Sequence, residues 1–226
     1  MGRKAEITRT TKETDISVRL CLDGNGAAKL DYPVGFMAHM LNTFARHGLF
    51  DLEIRARGDL EVDQHHLVED TGLALGQCFA KAVGDKRGIR RNGSCLFPMD
   101  ETLARAAVDV SGRPFLFFEG RLSGIPLVSA PAAAGGAAAA SAGADGGPGE
   151  SNFQTDTVED FWLAFVNAAG INHHLEILRG RSDHHKIEAL FKAAARALRE
   201  ALEIDGRAKD DIPSTKGDLV GPGVIV

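Results

Sequence analysis

The sequence predicts a mixed α and β chain built from two copies of one helix–strand–helix unit. Three observations carry that expectation. The motif His-His-x-x-Glu occurs twice, at His65–Glu69 and at His184–Glu188, each time opening an apolar helical pattern. Strand and helix patterns follow one another in the same order around both copies. The stretch "ARHGLFDLEIRARGD" also lies over "VNAAGINHHLEILRGRSD", with Leu52-Glu53-Ile54 on Leu175-Glu176-Ile177. The halves divide at about residues 1–92 and 93–209, each a reasonable size for a small folding unit.

Taken in order, residues 5–22 alternate polar and apolar side chains and end at the turn signal "DGNG", which reads as strands. "VGFMAHMLNTFARHG" follows, with Phe36, Met40 and Phe44 at helical spacing and Gly48 as its stop. "LFDLEIRARGDLEV" is a strand pattern, and the first His-His pair then opens a helix that ends near Gly84. In the second half "VEDFWLAFVNAAG" is helical, "INHHLEILRG" is a strand, and a long helix begins at the second His-His pair. Residues 126–150 are rich in Ala, Gly and Pro and offer nothing for a core, so we expect a surface insertion with no catalytic part. The segment 210–226 is a Gly/Pro-rich tail carrying "STK".

Composition narrows the class. The chain has 226 residues, 44% hydrophobic and 25% charged, enough for a substantial core. A formal net charge of −5 with dispersed basic residues argues against a nucleic-acid surface. Cys21, Cys78 and Cys95 form no CxxC pair, and an odd count suits reduced thiols. No apolar run approaches a membrane span, and "MGRKAEITRT" has no signal-peptide core, so the expectation is a cytoplasmic protein without membrane contact.

The histidines hold the chemistry. Six of the eight stand in adjacent pairs: His65/His66, His173/His174 and His184/His185. Imidazole and carboxylate at helical spacing are what a divalent metal requires. On a helix, residues i and i+4 share a face while neighbours point about 100° apart. His65 therefore reaches one metal with Glu69, and His184 another with Glu188, leaving His66 and His185 turned elsewhere. Each repeat offers a two-ligand clamp plus one histidine for a second site. Strand alternation puts His173 with Ile171, Leu175 and Ile177 on the core side and His174 on the opposite face. His39 and His47, eight apart, lie on one side of the first helix.

With these residues the chain resembles the imidazoleglycerol-phosphate dehydratase family. The matching segments, in family order, are "RTTKETDI", "GFMAHMLNTFARHGLFDLEIRARGDLEVDQHHLVEDTGLALGQ", "PMDETLARAAVDVSGRP", "AGINHHLEILRGRSDHHKIEALFKAAARALREAL" and "PSTKG". They span nearly everything but the insertion. The resemblance implies an α+β fold of two four-stranded sheets, each with helices on one side, packed helix to helix. It implies two Mn²⁺ per active site, one on His39, His66, His184 and Glu188, the other on His65, Glu69, His174 and His185. It implies Glu13, His47 and Glu188 as catalytic candidates, with Glu13 and His47 also contacting substrate. Arg91, Arg113, Lys192, Ser214, Thr215 and Lys216 are implied to hold the phosphate of a small substrate. A homo-oligomer of 24 subunits built from trimers, with active sites between subunits, is implied as well. Two positions depart from the family: Ala38 stands where Asp usually precedes the first-helix histidine, and His173 replaces an apolar residue. Two other readings share the same residues: a dinuclear metallohydrolase acting on a phosphate ester, and an assembly protein stapled by metals without catalysis.

Overall fold

The structure is a computed structural model that describes residues 2–125, 127–129, 151–208, 211–217 and 219. The first half runs β1 (Lys4–Thr10), β2 (Thr14–Cys21), β3 (Ala28–Asp31), α1 (Gly35–Gly48), β4 (Asp51–Gly58) and α2 (His65–Val83). The second runs β5 (Asn92–Met99), β6 (Thr102–Asp109), β7 (Phe115–Glu119), β8 (Leu127–Ser129), β9 (Ser151–Phe153), α3 (Thr157–Ala169), β10 (Asn172–Arg179) and α4 (Asp183–Leu202).

Each half forms one four-stranded sheet of the same topology. The orders are β1-β2-β4-β3 and β5-β6-β10-β7. In each, an antiparallel hairpin is followed by the strand after the helix, and the short outer strand runs parallel to it. Strands such as β2 and β6 alternate buried and exposed positions, so one face of each sheet is covered and the other is open. The helices fill the space between the covered faces: α2 packs on α3, and α1 on α4. The expected duplicated α+β architecture, sheet–helices–sheet, is the one observed.

The two halves meet closely because the sequence is small where helices cross. A Cβ on Gly72 would lie 2.3 Å from Phe161 O, and one on Gly76 2.4 Å from Phe165 O, so only glycine lets the α2 and α3 backbones approach this far. Around that crossing Phe161, Trp162, Phe165 and Phe191 form the aromatic centre, with Trp162 and Phe191 centroids 4.9 Å apart. The stop of α1 differs in detail from the expectation. Gly48 ends the helix, but the left-handed residue is Leu49 (φ 55°); the second half places Gly170 (φ 64°) at the equivalent corner. Gly48 instead makes room for the Phe50 ring.

The insertion has an ordered base. Leu127–Ser129 pairs antiparallel with Ser151–Phe153, so its ends form a short two-stranded ladder; residues 130–150 lie outside the described residues. No helix among the described residues is long and apolar enough to cross a membrane.

Candidate metal centre

The start of α4 builds the first cluster. Ser182 caps the helix, its Oγ accepting from His185 N, which sets His184 and Glu188 one turn apart on a common face. His184 Nε2 lies 3.2 Å from Glu188 Oε2, and His39 Nε2, arriving from α1, lies 3.6 Å from the same oxygen. Lys192, one further turn along, donates to Glu188 Oε1 at 2.8 Å. His39, His184 and Glu188 offer ligand atoms that all lie within 4.8 Å of one another. Glu188 is buried, and hydrogen bonds from His184, then His39, then Lys192 hold its carboxyl far below the usual carboxylate range. Phe36 stacks edge-on against His184 and is backed by Phe153 of β9.

The start of α2 builds a second cluster by the same logic. Asp63 Oδ1 accepts from His65 N at 2.8 Å and fixes the first turn. His65 Nε2 lies 3.7 Å from Glu69 Oε2, and its Nδ1 lies 3.5 Å from Asp160 Oδ2 on α3. Asp160 is the counterpart of His39: laying Ala45 on Val166 lays His39 on Asp160. One cluster therefore joins α1 to α4 and the other joins α3 to α2. In both, an imidazole–carboxylate clamp at a helix start is closed by one residue of the other half. The nitrogen and oxygen donors of the first cluster converge and fit a divalent first-row metal; at the second, His65 faces Glu69 and Asp160 through opposite ring nitrogens, so His65 and Glu69 form the clamp and Asp160 holds the far side of the ring.

His66 and His185 are turned out of these clusters. The rings of His65 and His66 are 82° apart, and those of His184 and His185 are 89° apart. His66 Nδ1 lies 3.0 Å from Asp59 Oδ2 and 3.9 Å from Glu13 Oε2. The Asp59 hydrogen bond raises the pKa of His66 above the usual imidazole value. His185 Nδ1 lies 2.9 Å from Glu101 Oε2. Glu101 also accepts from Ser182 N and Arg181 N at 3.0 and 3.2 Å, and these contacts, Ser182 first, push its pKa well down. Glu13, exposed at the tip of the β1–β2 hairpin, is held beside α2 because buried Asp70 accepts from Arg9 Nε at 3.0 Å and from the Thr14 hydroxyl at 2.5 Å.

The remaining candidates fall into two groups. His47 packs edge-on against Phe97, 5.5 Å between centroids, and the same ring lies 5.6 Å from Lys192 and 5.4 Å from Arg196. Partial burial, then Lys192 and Arg196, lower the pKa of His47. Arg91, Arg113 and the "STK" tail gather at the other end of the second half. Arg91 forks onto Asp109 at 2.6 and 2.9 Å and donates to Pro213 O at 2.8 Å, which brings Ser214, Thr215 and Lys216 alongside. Arg113 is exposed in the β6–β7 turn. Arg91 N also bonds Ala201 O, at the far end of α4 from His184. At 1.5 Å per residue that separation is about 25 Å, so of the phosphate candidates only Lys192 lies at the first cluster, and one chain does not bring Arg91 and the "STK" tail to it. His174 sits on the open face of the second sheet, between Phe115 and Phe117, with centroids 5.8 and 5.5 Å away. The chain does not bring it to either cluster. His173 faces the helices, fully buried against Trp162.

Comparison with known proteins decides the family. A family model described as imidazoleglycerol-phosphate dehydratase matches residues 33–132 and 137–198, more than half of the chain. The chain belongs to the imidazoleglycerol-phosphate dehydratase family. An imidazoleglycerol-phosphate dehydratase of Methylorubrum populi is 48% identical over 96% of this chain and all of its own length. One of Acidovorax sp. is 50% identical over 96% of this chain and 92% of its own. The crystal structure of the Staphylococcus aureus imidazoleglycerol-phosphate dehydratase superposes with a TM-score of 0.72 at 34% identity, covering 89% of this chain and 99% of that one. The Pyrococcus furiosus enzyme, in complex with (S)-C348, gives a TM-score of 0.71 at 28% identity, covering 94% and 100%.

The family-matched region runs from before α1 to late in α4, so it contains every histidine discussed, Glu188, Asp160 and Lys192. Sequence reasoning did not single out Asp160, Asp59 or Glu101. Two signals were available: the internal alignment puts Asp160 on His39, and Glu101-Thr102 repeats Glu13-Thr14 after the first hairpin turn of each half.

Proposed function

We propose that the chain removes water from imidazole glycerol phosphate to give imidazole acetol phosphate, a hydro-lyase step of L-histidine biosynthesis. The observation that carries this reading is the convergent cluster His39–His184–Glu188, with the clamp His65–Glu69 repeated at the equivalent helix start. Two Mn²⁺ per active site would be held, the first by His39, His66, His184 and Glu188, the second by His65, Glu69, His174 and His185. His174 would reach the second only from a neighbouring copy. Metals so bound supply positive charge that lowers the pKa of coordinated nitrogen and oxygen groups.

The chain's own groups do the rest. The hydroxyl beside the imidazole takes up a proton and leaves as water as the adjacent carbon loses its proton, and the enol so formed tautomerises to the ketone; Glu13, exposed and beside His66, would exchange the protons there. His47, Lys192 and Arg196 surround Phe97 and favour an anionic substrate at the first cluster. Arg113 and Lys216 offer positive charge, and Ser214 and Thr215 hydroxyl and amide donors, to phosphate, with Arg91 beside them and its fork engaged by Asp109. Their distance from the clusters along α4 supports an active site shared between copies, in a homo-oligomer of 24 subunits built from trimers and working in the cytoplasm.

The test follows ketone and inorganic phosphate together when protein loaded with Mn²⁺ meets imidazole glycerol phosphate. Ketone without phosphate is expected. Phosphate release would instead mark a metallohydrolase, and bound metal without either product would mark a structural staple.

A further inference from the structure

Two carboxylates stand outside both clusters and meet the two histidines that also stand outside them. Asp59, in the turn between β4 and α2, lies 3.0 Å from His66 Nδ1. Glu101, at the tip of the β5–β6 hairpin, lies 2.9 Å from His185 Nδ1. Among the described residues neither Nε2 has a hydrogen-bond partner, and both rings are part-exposed. A carboxylate on Nδ1 fixes the tautomer that carries its proton there and leaves the Nε2 lone pair as the donor.

The routes to these contacts differ, and that difference carries weight. The repeat gives Glu13 and Glu101 equivalent places, yet only Glu101 reaches its histidine. In the first half Glu13 stays 3.9 Å from His66 and Asp59 closes instead. Duplication alone would have copied one arrangement. The same contact made from two different elements indicates a demand on the histidine itself. Asp59 adds a second sign: its Oδ1 is buried without any partner, so this side chain spends its hydrogen bonding on His66. A buried carboxylate oxygen left unpaired is costly.

Resting on the two-metal reading above, we infer that Asp59 and Glu101 are positioning residues. Each orients the second histidine of its repeat so that Nε2 is presented to a metal clamped by another copy of the chain. Glu13 is thereby left free of this duty and available to substrate.

The test is a Mn²⁺ titration, followed by the electron paramagnetic resonance signal of free Mn²⁺, of wild type, Asp59→Asn, Glu101→Gln, His185→Ala and the Glu101→Gln/His185→Ala double variant. The amides keep size and one acceptor. Wild type should bind two ions per chain. Each amide variant should weaken one ion by roughly 10–100-fold and leave the other unchanged. Glu101→Gln should add nothing in the His185→Ala background, because the carboxylate acts through that ring. Unchanged affinity in both amide variants overturns the inference, and so does an equal further loss in the double variant, since Glu101 would then serve only as a cap for α4. Wild type taking up no Mn²⁺ would sink the two-metal reading, and this inference with it. Among the described residues the Asp59 carboxylate accepts no backbone N–H, only its main-chain carbonyl does, from Val62 N, so Asp59→Asn keeps the inference testable if Glu101→Gln fails to fold.

Discussion

Replacing His173 by leucine should stabilise the protein. The ring is 0% exposed, and among the described residues neither Nδ1 nor Nε2 has a hydrogen-bond partner. It packs edge-on against Trp162 at 5.5 Å, on the face shared with Ile171 and Leu175. An unpaired buried polar group costs roughly 1–3 kcal/mol, and leucine removes that cost while keeping apolar contact. A gain of about 2 kcal/mol corresponds to roughly 4–8 °C for a chain of this size. The pH dependence gives a second reading. Burial pushes the His173 pKa down to about 3 from an ordinary 6.5, with His174 a lesser cause. Between those values the unfolded chain takes up a proton that the folded chain refuses. This group's contribution is therefore fully present above pH 6.5 and is lost as pH falls towards 3. Leucine abolishes the loss, so the advantage of His173→Leu should widen by about 2 kcal/mol from pH 7.5 to 5. Calorimetry or urea unfolding of metal-free protein at both pH values measures it. A variant less stable than wild type, or an advantage that does not grow on acidification, would mean that the buried ring is no cost to the fold.

Glu188→Gln should remove the only carboxylate of the first cluster. Mn²⁺ uptake should fall from two ions to one per chain, and turnover by more than the roughly 10–100-fold typical of outer partners, as read by metal analysis and ketone formation. Gly72→Val should fail to give folded protein, because its Cβ would stand 2.3 Å from the backbone oxygen of Phe161; circular dichroism and expression yield report it. Arg196→Met should raise the pKa of His47, since Arg196 is one of the cations lowering it. An imidazole proton titration by NMR shows the direction, and a downward shift would contradict the site's electrostatics.

Much of the fold and site was legible because the periods are strict. The two-residue alternation of β10 separated His173 from His174, and the i,i+4 rule separated the clamping histidines from their neighbours. Both assignments depend on local geometry alone. The pairings that complete the clusters are not local. Asp160 reaches His65 only because α3 crosses α2 at Gly72 and Gly76, and "VEDFW" on its own reads as an ordinary helix start. Asp59 and Glu101 sit in turns, where side-chain direction follows from tertiary contacts rather than spacing. The ladder of β8 with β9 was hidden for a related reason: three residues on each side of a low-complexity stretch carry too little pattern to mark a strand.

The most direct test counts Mn²⁺ per chain in wild type and in two paired variants, His39→Ala/Glu188→Ala and His65→Ala/Glu69→Ala. Wild type should hold two ions and each variant one, with each pair removing a different ion. One ion in wild type, or two retained after His65→Ala/Glu69→Ala, would contradict the claim that the duplicated unit builds two clamps.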